Sequence, residues 1–226
     1  MGQTDTIEAG IRHLHESSVE AMAGVGTWWT GAQRCEIVAE ARAARTHPLD
    51  LARKSAVTPN AVEGGHEATE HLPAAAVEAA HRISTDPGRL TRSWADEIMA
   101  DIGEEAYVEL VALVSSISAI DSFARCMGTD EEALPPAGGG EPSRQRPDGM
   151  GDTGAWVAQT NVGVVRANVA RATSLVPEAD AIWRDLVDQH YSRGSDFVAL
   201  VWDRALSRPQ VEAIASAVSE VNECFY

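Results

Sequence analysis

The chain has 226 residues, with 34 acidic against 18 basic side chains and a formal net charge of −16. That length suits one large domain or two smaller ones, and 44% hydrophobic with 23% charged residues is ordinary globular composition. The acidity excludes a nucleic-acid-binding surface, which needs basic groups to replace phosphate counterions, and it excludes an anionic membrane partner for the same reason. Aromatic residues are only 5% of the chain while Ala and Val are plentiful, so helix is favoured over a β-sandwich. No run reaches the roughly 18 apolar residues of a bilayer span. The first residues, Met1 to Glu8, have neither a basic nor an apolar targeting segment. A cytoplasmic location is the expectation. Three scattered cysteines, Cys35, Cys126 and Cys224, are not a disulfide framework.

In chain order, Trp28-Trp29 before Thr30 reads as a hydrophobic staple and core anchor. Thr30-Gly-Ala-Gln33 is a capping box that opens a helix. His47 and Asp50 then stand where that helix ends, and too few ligand types are nearby in sequence to define a metal site. His66 and His71 lie in a polar stretch with Glu63, Glu67 and Glu70 and are expected on a solvated surface, as are His13 and His15. Cys35 and Cys126 carry no motif and are expected in the core. Val108, Val111, Val114, Ile117 and Ile120 form an apolar stripe from 104 to 127 that Gly128 ends.

Residues 128–154 contain seven Gly and four Pro and predict a mobile, disordered linker between halves 1–127 and 155–226. In the second half, Pro177 and Glu178 open an amphipathic helix carrying Ile182, Leu186 and Val187, and Gly194 ends it. Residues 196–203 are assigned to a further helix by context. Ser207-Arg-Pro-Gln210 is a second capping box, followed by the stripe Val211, Ile214, Val218, Val221 and Phe225.

The two capping boxes align at an offset of 177 residues, which pairs Ile37 with Ile214, Ala41 with Val218 and His47 with Cys224. On this register the capped helices are expected to superpose as an internal repeat.

The run from Glu212 to Tyr226, with Cys224 twelve positions after Glu212, resembles the alkylhydroperoxidase D-like, or carboxymuconolactone decarboxylase, superfamily. Its redox members carry a Glu, eleven residues, then Cys-x-x-Cys and a His. Residues 34–53 resemble the equivalent helix and motif, with His47-Pro-Leu-Asp50 in place of the cysteine pair, and 74–127 resemble the family's distal helices. The resemblance implies an all-α fold of two alkylhydroperoxidase-like repeats. The first, 1–127, would be degenerate; the second, 155–226, would be incomplete. It implies reduction of a hydroperoxide at the expense of a dithiol, without a cofactor, in a homo-oligomer. Cys224 would be the resolving thiol, with Glu212 in the proton relay.

A peroxidatic sulfur must be a thiolate, and its sulfenic acid needs a second thiol to resolve it. Positions 227 and 231, where the second Cys and the His would fall, lie beyond Tyr226, so the 226-residue chain is expected to be a poor peroxidase. The reading frame is expected to continue, with selenocysteine encoded by UGA at 227 as one form of that expectation and an ordinary truncation as another. Twelve residues of straight helix span about 18 Å, so Glu212 meets Cys224 only if the chain bends, and Glu220, one turn away, is an alternative neighbour. The competing readings are a lactone decarboxylase-like enzyme, which does not require the cysteine pair, and a helical scaffold that has lost its site.

Overall fold

A computed structural model describes residues 3–161, 168–191, 202 and 205–221. The fold is all-α. Its helices are α1 (Gln3–Ala23), α2 (Gly31–Ala43), α3 (Pro48–Ser55), α4 (Ala74–Thr85), α5 (Arg92–Ile102), α6 (Glu104–Met127), α7 (Pro177–His190) and α8 (Arg208–Val221). The strands among the described residues are the two-residue pair β1 (Met150–Gly151) and β2 (Gln159–Thr160), antiparallel to each other.

Local chemistry sets the helix ends. The Thr30 hydroxyl accepts from the Gln33 amide and the Gln33 side chain accepts from the Thr30 amide, so α2 starts on the predicted capping box. Pro48 fills the first turn of α3, where its missing N–H costs nothing, and Thr91 caps α5 through the Trp94 amide. Gly128, at φ +69°, ends α6 in the left-handed region that a side chain would disfavour.

Helix α6 is the hub, packed by α2, α4, α5 and α7, while α1 lies against α2 and α7. Its Val108, Leu110, Leu113, Val114, Ile117 and Ile120 are all buried. By length and mean apolar composition this helix passes for a membrane span, although it holds no unbroken apolar run of that length. Half of its apolar window is covered by other helices, and the charged Glu109 and Asp121 are buried against arginines. Those features make α6 a core helix of this fold.

The core runs across the predicted domain boundary: Leu175, Val176, Ala179 and Leu186 join the same apolar cluster as Ile37, Val77 and Leu113. The segment after α6 is irregular, as its composition predicts, yet it is attached to the helices. Arg42 and Arg45 both bond the buried Asp121, and they hold Glu132 and Glu131 at the start of the strap. The Gly138 amide donates to Ala23 O and the Arg144 amide to Thr27 O. A Cβ on Gly31 would stand 2.3 Å from Gly138 O and 2.7 Å from Ala23 O, so only glycine admits the strap at this crossing. The expected disordered linker is thereby corrected to a bonded strap.

Helix α8 shares one of the two capping-box bonds of α2, with the Ser207 amide donating to Gln210 Oε1 at 2.8 Å. The two settings differ: α2 buries Arg34, Ile37, Val38 and Ala41, whereas α8 buries no residue, and Val218 and Val221 are 53% and 82% exposed. Of residues 196–203, expected to be helical, only Trp202 is described, and it is not helical; Cys224 and Phe225 also lie outside the described residues.

His15 was expected in solvent but is buried, its Nε2 2.7 Å from Nε2 of His190, with the Phe123 ring edge-on to both imidazoles. This contact joins α1, α6 and α7. Burial, and the neighbouring His190, lower the pKa of His15 from 6.5 to about 4. A histidine whose folded pKa is depressed binds its proton more readily when unfolded. Its contribution to stability is therefore complete above pH 6.5 and is lost as the pH falls from 6.5 towards 4. We expect a loss of about 2 kcal/mol from this group between pH 7 and pH 4. His15→Phe should flatten that part of a melting-temperature profile; an unchanged acid slope would refute the assignment.

Candidate functional site: a histidine–carboxylate cluster

The cluster is built by α2, α3, α4 and the loop between α3 and α4. His47 precedes Pro48 at the start of α3, and Asp50, one turn on, points into the protein at 1% exposure. His81 sits on the buried face of α4 beside Val77 and Ala80. The loop after α3 brings His66 under cover, its side chain only 3% exposed.

Asp50 is the centre. Its Oδ2 lies 2.6 Å from His81 Nδ1, 3.2 Å from His66 Nε2 and 3.4 Å from His47 Nδ1. The far nitrogens of the two buried imidazoles each meet another carboxylate: His66 Nδ1 is 2.7 Å from Glu78 Oε2, and His81 Nε2 is 2.7 Å from Glu40 Oε2. Arg53 fixes Glu78 at 2.8 Å while its other Nη donates to Gly64 O. Burial alone would raise the Glu78 pKa, but hydrogen bonds from His66 and Arg53 outweigh it and hold the group down to about 2. Burial likewise opposes a charged His66, yet Glu78 and Asp50 together raise its pKa. Asp50 Oδ1, His47 Nδ1 and Arg53 Nε are buried here without a hydrogen bond. The four donor atoms of His47, Asp50, His66 and His81 all lie within 4.8 Å of one another, close enough for side-chain rotations to gather them around one metal ion.

Comparison with family models, with curated proteins and with solved structures finds no match to this chain. The site is therefore argued from its geometry.

Of the expected site residues, Glu212 and Glu220 lie on α8, which contributes nothing to this cluster. Glu212, near the start of α8, accepts a hydrogen bond from Tyr191 Oη at 2.9 Å and lies 3.6 Å from Arg208 Nε. Glu220 is an exposed residue of α8. Cys224 is outside the described residues. Cys35 is half-buried, with burial raising its thiol pKa, and Cys126 is exposed; neither is the core cysteine expected. His47 and Asp50, read as an ordinary helix terminus, and His66, read as solvated, are the residues whose site the sequence reading missed. A local signal for it existed in His81, which interrupts the apolar face Ala76-Val77-Ala80 of α4. A histidine at that register is buried and must find partners.

Proposed function

We propose that the protein is a cytoplasmic, helical hydroperoxide reductase of the alkylhydroperoxidase-like kind, drawing electrons from a dithiol. The resemblance gives Cys224 the resolving role; in this reading it also attacks, slowly, as the motif thiol present in residues 1–226: its thiolate attacks the peroxide, the O–O bond breaks, and an alcohol or water leaves with a proton. The resulting sulfenic acid condenses with a thiol of the reductant to a mixed disulfide and water, and the second thiol of the reductant restores Cys224. Glu212 is the proton-relay acid that the resemblance implies, with Glu220, one helical turn before Cys224, as the alternative.

The observation that carries the reading is the position of His47 and Asp50. The resemblance aligns them with the family's redox motif, and they lie in a buried network of titratable groups rather than at an inert helix end. The matching hydrogen bonds of the Thr30 and Ser207 capping boxes add support for a duplicated motif helix.

A single-turnover trap tests this without requiring catalysis. Purified chain is treated with a hydroperoxide and a sulfenic-acid reagent, and each cysteine is followed by mass spectrometry. Cys224 should label at least tenfold faster than Cys126, the exposed internal control. Equal labelling of the two would overturn the proposal.

A further inference from the structure

We propose that His47, Asp50, His66 and His81 bind one first-row divalent cation of the zinc class. This goes beyond the hydroperoxide reading and does not depend on it.

The first argument is the direction of the imidazoles. A metal-binding histidine offers one nitrogen to the ion and donates its other N–H to a carboxylate or carbonyl, which fixes the ring and strengthens the ligand. Both buried histidines have that arrangement. His66 presents Nε2 to the centre and Nδ1 to Glu78; His81 presents Nδ1 to the centre and Nε2 to Glu40. Arg53 orients Glu78 in turn. A simple ion pair needs no such outward partner on each ring.

The second argument is spacing. Bonds of 2.0–2.1 Å in a tetrahedral site set ligand atoms about 3.3 Å apart. His66 Nε2 and His47 Nδ1 already stand 3.2 Å and 3.4 Å from Asp50 Oδ2, while His81 Nδ1, at 2.6 Å, must retreat by a rotation within its hydrogen bond. The third argument is hydrogen bonding. Asp50 Oδ1 is buried with no hydrogen-bond partner and His47 Nδ1 has only its long 3.4 Å contact with Asp50 Oδ2, and a cation gives both a favourable neighbour.

Three imidazoles and one carboxylate suit zinc, cobalt or ferrous iron; magnesium and calcium prefer all-oxygen shells. His47 is 42% exposed, so it is the ligand at the solvent side and the one an incoming group would displace.

The test is a titration of the full 226-residue chain, freed of metal by a chelator. Cobalt(II) is followed by its visible ligand-field bands, and zinc(II) by competition. We expect one ion per chain and no thiolate-to-cobalt charge-transfer band. His81→Ala and His66→Ala should each weaken zinc binding about 100-fold, and Glu40→Gln and Glu78→Gln about tenfold. His47→Ala, at a half-exposed position, tests the site where folding is least at risk, and should weaken binding about tenfold. Circular dichroism confirms that each variant is folded. Substoichiometric binding, or stoichiometric binding unchanged in folded His47→Ala and His81→Ala, would overturn the site. The Cys224 trap reports separately, so either proposal can fail alone.

Discussion

Glu109→Ala should lower the stability of the protein by about 3–5 kcal/mol, because it strands a buried guanidinium. Glu109 and Arg34 are 1% and 4% exposed, with Arg34 Nε 3.4 Å from Glu109 Oε1. Glu109 also accepts the Trp28 amide at 2.7 Å, and Arg34 Nη1 donates to Gly24 O. The pair thus ties the turn between α1 and α2 to the second turn of α6. A Cβ on Gly26 would stand 1.8 Å from Glu109 Oε1, so glycine is what lets the carboxylate approach. Burial raises the Glu109 pKa against the pull of Arg34 and the Trp28 amide, which means the charged pair is held at a desolvation cost. Removing both charges together, as Arg34→Met with Glu109→Leu, should recover much of the loss. Urea melts of the two variants measure the difference; a single variant no less stable than the double one would contradict the account.

Asp50→Ala should cost a comparable ~3–5 kcal/mol in metal-free protein. Asp50 Oδ2 is the shared partner of His66 and His81, and both side chains are almost fully covered. Without it, one nitrogen on each ring loses its hydrogen bond inside the protein, and the raised pKa of His66 loses one of its two carboxylate supports. Asp50→Asn preserves shape and one acceptor and should cost less than half as much. Thermal unfolding in the presence of a chelator separates the two variants. Equal melting temperatures for Asp50→Ala and wild type would mean that the cluster contributes nothing to the fold.

The helices of this fold were written in local chemistry, and the cluster was not. The α6 stripe, the Thr30 and Ser207 boxes and the Pro177 start all depend on residues within a turn or two of one another, and each stands where the pattern puts it. His66 lies among Glu63, Glu67 and Glu70, and by composition such a loop belongs in water. Only the closure of that loop over α3 and α4, with Arg53 bonding Gly64 O, places its imidazole inside. The same limit explains the strap. Seven glycines and four prolines predict irregular backbone correctly, but the carbonyls of Ala23 and Thr27 that receive it are more than a hundred residues earlier in the chain. The His15 environment also depends on a partner, His190, that is 175 residues away.

That strap has a bearing on how the chain assembles. The bond from Gly138 to Ala23 closes a loop of well over a hundred residues, and such a closure is entropically slow compared with pairing neighbouring helices. The α2–α4–α6 layer can form first from nearer segments, with the strap laid over it afterwards. The amides of Gly138 and Arg144 should then exchange with solvent deuterium faster than those of central α6, through openings that leave the helical layer intact. A bulky residue at Gly31 would block that last closure, so its damage should register as a detached strap before it registers as lost helix.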